Sequence, residues 1–166
     1  ASLTTIGTPH RGSRLVDKLE KLPRKFQNMI AGYYDSLAIR NGDSDSNFYT
    51  ATRQYSVEKL KKFNSNVTNC ENVYYQSYAC KMTSPFSDKF LFIPYFILKK
   101  AEGDNDGIVS VESAKWGEFK GVIENKVNKK GISHLDIIDF KRKDFEEFDV
   151  VDNYIQMIRE LKKKGL

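Results

Sequence analysis

Short stretches rich in β-branched and aromatic residues alternate with helical stretches along this chain, and that alternation constrains its fold more than any other feature. Residues 3–6, 73–78 and a stretch near 119–123 read as strands. Between the first two, Leu15, Val16, Leu19 and Leu22 recur at helical spacing until Pro23 breaks the pattern. Phe26, Met29, Ile30, Tyr33 and Tyr34 then begin a second apolar face, and residues 56–64 read as a helix with Val57, Leu60 and Phe63 turned inward. The last helix is the clearest. Asp149 is its N-cap, and Val151, Tyr154, Ile155, Ile158 and Leu161 are its apolar face. Lys162 to Lys164 suit its C-terminal dipole end, and Gly165 is its stop. Strands interleaved with helices predict an α/β fold with a parallel sheet.

Composition narrows the function classes. With 40% hydrophobic residues in 166, the chain has enough apolar material for one packed domain. Its longest apolar run, residues 90–98, is too short for a membrane span, contains Pro94 and reads as core. The net charge of +5 is spread over short basic runs at 61–62, 99–100, 126–130, 141–143 and 162–164. No single element interleaves that charge with aromatics, so solvated surface is preferred over a nucleic-acid interface. Residues 1–6 read as if they begin inside a strand, with neither an initiator Met nor a signal peptide, which suggests a piece of a longer chain. Cys70 and Cys80 flank an extended stretch. At about 3.3 Å per residue, their sulfurs fall too far apart for a mutual disulfide.

Two segments have chemical potential. Asp106 sits between glycines in Gly103-Asp104-Asn105-Asp106-Gly107, followed by Ile108 and Val109, which can anchor the turn. Such a turn can hold one carboxylate rigidly, although acidic glycine turns are also common loops. His134, one of only two histidines, lies in Gly131-Ile132-Ser133-His134-Leu135-Asp136. Alone it would read as a packed or exposed residue. Their order changes the weighting. In α/β-hydrolases the nucleophile, acid and histidine come in that order along the chain, each after a strand. Imidazole can take a proton from a serine and return it, while a carboxylate on its other nitrogen fixes the tautomer. Asp43, Asp45 and Asn47 alternate like the start of a calcium loop, but Phe48 and Gln54 occupy positions that such a loop needs for Gly and Glu.

Residues 2–13, SLTTIGTPHRGS, resemble the strand and loop that follow the nucleophile helix in bacterial triacylglycerol lipases. Residues 105–110, NDGIVS, with SAKWG at 113–117, resemble that family's acid segment, and SHLD at 133–136 its histidine segment. The likeness covers nearly the whole chain and is nearest to the clostridial type. It implies the C-terminal portion of an α/β-hydrolase fold over residues 1–166, with parallel strands flanked by helices and a lid-like or acyl-pocket helical insertion at 14–50. It also implies that Asp106, not Asp104, is the triad acid and that His134 is the general base. His10, in the Thr-Pro-His loop, is read as structural, shaping the site wall.

The resemblance implies a lipase, a serine carboxylic-ester hydrolase of acylglycerols working at a lipid–water interface. An esterase of soluble esters, or an inert chain that binds a partner or lipid surface, is the alternative. No G-x-S-x-G occurs in the sequence, so the serine is expected in an N-terminal half of the same enzyme, and this polypeptide alone is expected to be inactive. Related lipases hold a structural calcium, for which Asp136 and Asp88 are the candidate ligands here; no organic cofactor is implied. The resemblance also implies secretion.

Overall fold

The computed structural model describes residues 1–123, 125, 130–139 and 149–166. The basic stretches at 126–129 and 141–143 therefore lie outside the described residues. In chain order the elements are β1 (Ser2–Ile6), α1 (Arg14–Glu20), α2 (Arg24–Arg40), α3 (Phe48–Arg53), α4 (Val57–Asn66), β2 (Tyr74–Cys80), two 3₁₀ turns (Pro85–Ser87 and Lys89–Leu91), α5 (Phe92–Glu102), β3 (Glu118–Ile123), α6 (His134–Ile137) and α7 (Val150–Lys163). Among the described residues no helix is long and apolar enough to cross a membrane. The chain divides into two compact units, residues 11–67 and residues 1–10 with 68–166.

The larger unit is built on a three-stranded parallel sheet of order β1-β2-β3. Ser2 pairs with Tyr74 and Ile6 with Tyr78, while Gln76 pairs with Glu118 and Cys80 with Ile123. A register shift at Ser77/Tyr78 interrupts the second ladder. In the central strand β2, adjacent residues are buried in pairs, Gln76 with Ser77 and Ala79 with Cys80. Neighbouring side chains point to opposite faces, so both faces of this strand are covered, as parallel sheets require.

The two faces carry different cores. On one, Cys80 and Ile123 pack with Ile132, Ile137 and Met157. On the other, Ala79 packs with Val109 and Ala114, flanked by Phe119 and Val122. Both cysteines are free; Cys70 is exposed and Cys80 buried. Removal from water pushes the Cys80 thiol well above its ordinary value, so it stays protonated and behaves as a small apolar side chain.

Helix α7 follows the sequence signals at both ends. Asp149 Oδ1 accepts from the Asp152 N–H at 3.0 Å, and Gly165 takes a positive φ just past the end. Its buried stripe differs from the expected one. Met157 is buried and Val150 packs on the core, while Val151 and Ile158 are each 62% exposed. The helix is apolar over a wide arc, and periodicity alone does not choose which edge of that arc meets the sheet. Phe63 likewise stands out at 56% exposed, because α4 buries none of its residues fully.

The smaller unit, residues 11–67, is helical and holds the whole 14–50 segment. Ser13 caps α1, accepting from the Leu15 N–H. Pro23 starts α2, and Gln27 Nε2 donates to the Glu20 and Leu22 carbonyls across the break. Asp35 closes the polar 41–47 loop by accepting from the Ser46 hydroxyl at 2.8 Å and the Phe48 N–H at 2.7 Å. Asp17 Oδ1 accepts from the Val57 N–H, supplying the cap that Ser56 does not give α4. Met29 and Tyr33 on α2 remain more than half exposed.

Candidate active site

Because all three strands run parallel, their C-terminal ends lie along one edge of the sheet, where open α/β sheets place their ligands. Gly7 follows β1, His134 follows β3, and Asp106 follows β2 after the excursion through α5. Three residues just past β2 hold the last two loops. The Met82 N–H donates to the Asn105 carbonyl at 2.8 Å. The Ile132 N–H donates to the Lys81 carbonyl at 2.8 Å, and the Thr83 N–H to the Lys130 carbonyl at 3.1 Å. The acid turn and the histidine loop are thereby hung on one short piece of backbone.

The acid turn is fixed from inside. Asn105 is fully buried; its Nδ2 donates to the Gly103 carbonyl and its Oδ1 accepts from the Gly107 N–H, each at 2.9 Å. Asp106 Oδ1 accepts from the N–H groups of Ile108 at 2.9 Å and Val109 at 2.7 Å. Two backbone donors thus hold one carboxylate oxygen and leave Oδ2 to face His134. Asp104, by contrast, is half exposed and pairs with Lys99 at 2.6 Å and Lys81 at 3.7 Å. Its hydrogen bond to Lys99 lowers its pKa from the ordinary carboxylate value.

His134 opens α6 directly after its N-cap, Ser133. Its N–H donates to the Asp106 carbonyl at 2.9 Å, and its Nδ1 lies 2.8 Å from Asp106 Oδ2. The expected pair therefore meets through main chain and side chain alike, although 28 residues separate it in sequence. Burial opposes the charged imidazole, but the hydrogen bond and charge of Asp106 outweigh it, so the pKa is raised from 6.5. With the Nδ1 proton donated to Asp106, Nε2 is the basic nitrogen. A quarter of the side chain reaches the surface.

The fold itself is shared with solved structures of ester hydrolases. The Staphylococcus hyicus lipase superposes with a TM-score of 0.70 at 16% identity, over 98% of this chain and 57% of that one. The Bacillus licheniformis lipase BlEst2 in its mature form gives 0.55 at 21% identity, over 86% and 52%. In sequence the chain is 32% identical to Triacylglycerol lipase 2 of Saccharomyces cerevisiae, over 99% of its own length. Sequence and fold together support a lipase of α/β-hydrolase type. It spans 49% of the length of that yeast relative. No protein-family model matches it.

Further features of this lipase-type chain were not legible as site residues. Gly7 has a φ of +58°, and a Cβ there would sit 3.2 Å from Asp106 Oδ2 and 3.5 Å from His134 Nδ1. The Gly-Thr-Pro run signalled a turn but not its closeness to the pair. Ser133 and Asn105 are the other two. Asp88 and Asp136, the two calcium candidates, both converge on Ser133. Its hydroxyl donates to Asp88 Oδ2 at 2.9 Å, and its N–H donates to Asp136 Oδ2 at 2.9 Å in a capping box. Both carboxylates are buried. His10 stacks on Trp116 with centroids 5.2 Å apart, and its Nε2 lies 2.9 Å from Thr5 Oγ1. These two neighbours hold its ring in place.

Proposed function

We propose that this chain supplies the acid–base part of a serine carboxylic-ester hydrolase acting on acylglycerols at a lipid–water interface. The observation behind this reading is the 2.8 Å contact between His134 Nδ1 and a fully buried Asp106. In the proposed reaction, Nε2 of His134 takes the proton of a serine hydroxyl as the oxygen attacks the ester carbonyl. It then gives that proton to the departing alkoxide, leaving an acyl-enzyme. Asp106 holds the imidazole in the required tautomer and balances the imidazolium.

The 166 residues contain no G-x-S-x-G. We propose that the serine and its oxyanion donors come from the N-terminal half of the same enzyme, and that this polypeptide alone turns over no ester. Mixing it with that half and following a short-chain nitrophenyl ester tests this; turnover by the 166 residues alone would refute it. Comparing triolein emulsion with soluble ester, on full-length protein, separates a lipase from an esterase. The esterase reading has its own support, since the metagenomic carboxyl esterase MGS0156 shares the fold with a TM-score of 0.57.

Calcium is part of the proposal. Two buried carboxylates meeting at one serine form a negatively charged oxygen set of the kind calcium takes. Among the described residues no group of three or more acidic, His or Cys side chains gathers around a common point, so further ligands would be carbonyls or water. Chelation that leaves the melting temperature of the full-length protein unchanged would remove calcium from the reading. Secretion rests on the family resemblance and is tested by fractionating producing cells.

A further inference from the structure

The helical unit, residues 11–67, leaves the larger unit after His10 and returns to it at Thr68. Holding so long an excursion in one place costs conformational entropy, so its two roots are where the attachment is set. In the larger unit both roots meet one side chain, that of the sole tryptophan. The Trp116 indole stacks on the His10 imidazole, with centroids 5.2 Å apart and planes 20° from parallel. Its Nε1–H donates to Asn69 Oδ1 at 3.0 Å. A stacked pair or an exposed indole hydrogen bond is ordinary taken singly. Here one ring makes both, to residues on either side of the same excursion.

The ring can grip because its own backbone is fixed. The Trp116 N–H donates to Ser77 Oγ at 2.8 Å, and the Ser77 hydroxyl donates to the Trp116 carbonyl at 2.7 Å. Ser77 is fully buried in the central strand β2. The next residue, Gly117, has a φ of +56°, and a Cβ there would meet the Tyr75 carbonyl at 2.3 Å. Residues 116–117 therefore lie tight against β2. His10 is tied in turn to β1, its Nε2 lying 2.9 Å from Thr5 Oγ1. The helical unit closes its own ends separately. There the Ser13 N–H donates to the Tyr55 carbonyl at 2.8 Å, and the Val57 N–H donates to Asp17 Oδ1 at 3.1 Å.

We propose that Trp116 is a positioning residue, a clasp that fixes both roots of the helical insertion to the central strand. An indole suits the task, with a flat face for the imidazole and an edge donor for the amide. Phenylalanine would supply only the first, and leucine neither. His10 also ends the short run that begins at Gly7, whose backbone lies against the Asp106–His134 pair. One side chain thus holds the insertion and the segment beside the site. The clasp rests on geometry alone; its effect on turnover rests on the ester-hydrolase reading, and the two are tested separately.

The test is hydrogen exchange, read by mass spectrometry on the full-length protein. In Trp116→Leu, exchange should quicken about tenfold at both roots, residues 10–13 and 67–70, while β2 keeps its wild-type rate. Trp116→Phe should restore the His10 root and leave the Asn69 root fast. Asn69→Ala, at an exposed position, should reproduce the Trp116→Phe pattern. Adding His10→Leu to Trp116→Leu should quicken neither root further, since the stack is already gone. Faster exchange at one root only in Trp116→Leu overturns the clasp, as does no change. An equal rise throughout the sheet overturns it in favour of a general loss of stability. In kinetics, Trp116→Leu should raise KM for a long-chain nitrophenyl ester by a larger factor than it lowers kcat. An unchanged KM with both roots loosened overturns the positioning role. If wild type turns over no ester while the exchange pattern is as expected, the clasp stands and the ester-hydrolase reading fails.

Discussion

The backbone of Gly7 lies so close to Asp106 that the β-carbon glycine lacks would stand 3.2 Å from the Oδ2 atom that meets His134. At a φ of +58° an alanine is also strained, by roughly 1–2 kcal/mol. We expect Gly7→Ala to lower stability by about that amount and to displace the pair. Urea denaturation measures the first effect. The second should appear as a shift in the NMR titration of His134.

Asp106→Asn keeps an oxygen for the Ile108 and Val109 N–H groups but presents an amide instead of a charge to Nδ1. With Asp106's raising influence gone and burial still opposing the cation, the His134 pKa should fall below the wild-type value. The full-length enzyme should lose about 10⁴-fold in kcat, the order expected when a triad acid is replaced by its amide. An unchanged rate on soluble ester would remove Asp106 from the mechanism.

The raised His134 pKa sets the direction of pH dependence. A general base must be neutral, so kcat/KM of the full-length enzyme should rise with pH through a midpoint above 6.5. Stability runs the other way. A group whose folded pKa lies above its unfolded value contributes most below the unfolded pKa, and that contribution disappears as pH rises through the folded pKa. Melting temperature against pH in wild type and Asp106→Asn should show this component in the first only.

Ser133→Ala should be the costliest of the small polar changes near the site. It deletes a donor to buried Asp88 and the N-cap of α6 together. A lost cap and a lost hydrogen bond to a buried carboxylate together predict about 2–3 kcal/mol. Chemical denaturation reads the loss. Ser133→Thr retains the hydroxyl and should recover much of it.

A β-carbon at Gly131 would meet the Lys81 carbonyl at 2.3 Å, at a φ of +74°. The obstruction is backbone, with no flexible side chain to yield. Gly131→Ala should therefore break the link between the 81–83 segment and the histidine loop. Hydrogen exchange at Ile132, whose N–H donates to Lys81, should quicken sharply.

Local chemistry in the sequence was enough to name the strands, the Pro23 break and the Asp149 cap, whereas Asp106 and His134 were singled out by their order along the chain and by the family resemblance. Strand, break and cap depend on residues within a turn or two of each other, where backbone preference and capping act directly. What tertiary structure decided was everything that depends on distance along the chain. It chose which stripe of α7 meets the sheet and turned Phe63 outward. It split the 90–98 run between core and surface. It set Gly7 against a carboxylate about a hundred residues away and made Ser133 the meeting point of Asp88 and Asp136. Periodicity states that a segment has an apolar side; only the packed sheet determines which side is covered, because burial belongs to the surface a residue meets as much as to the residue.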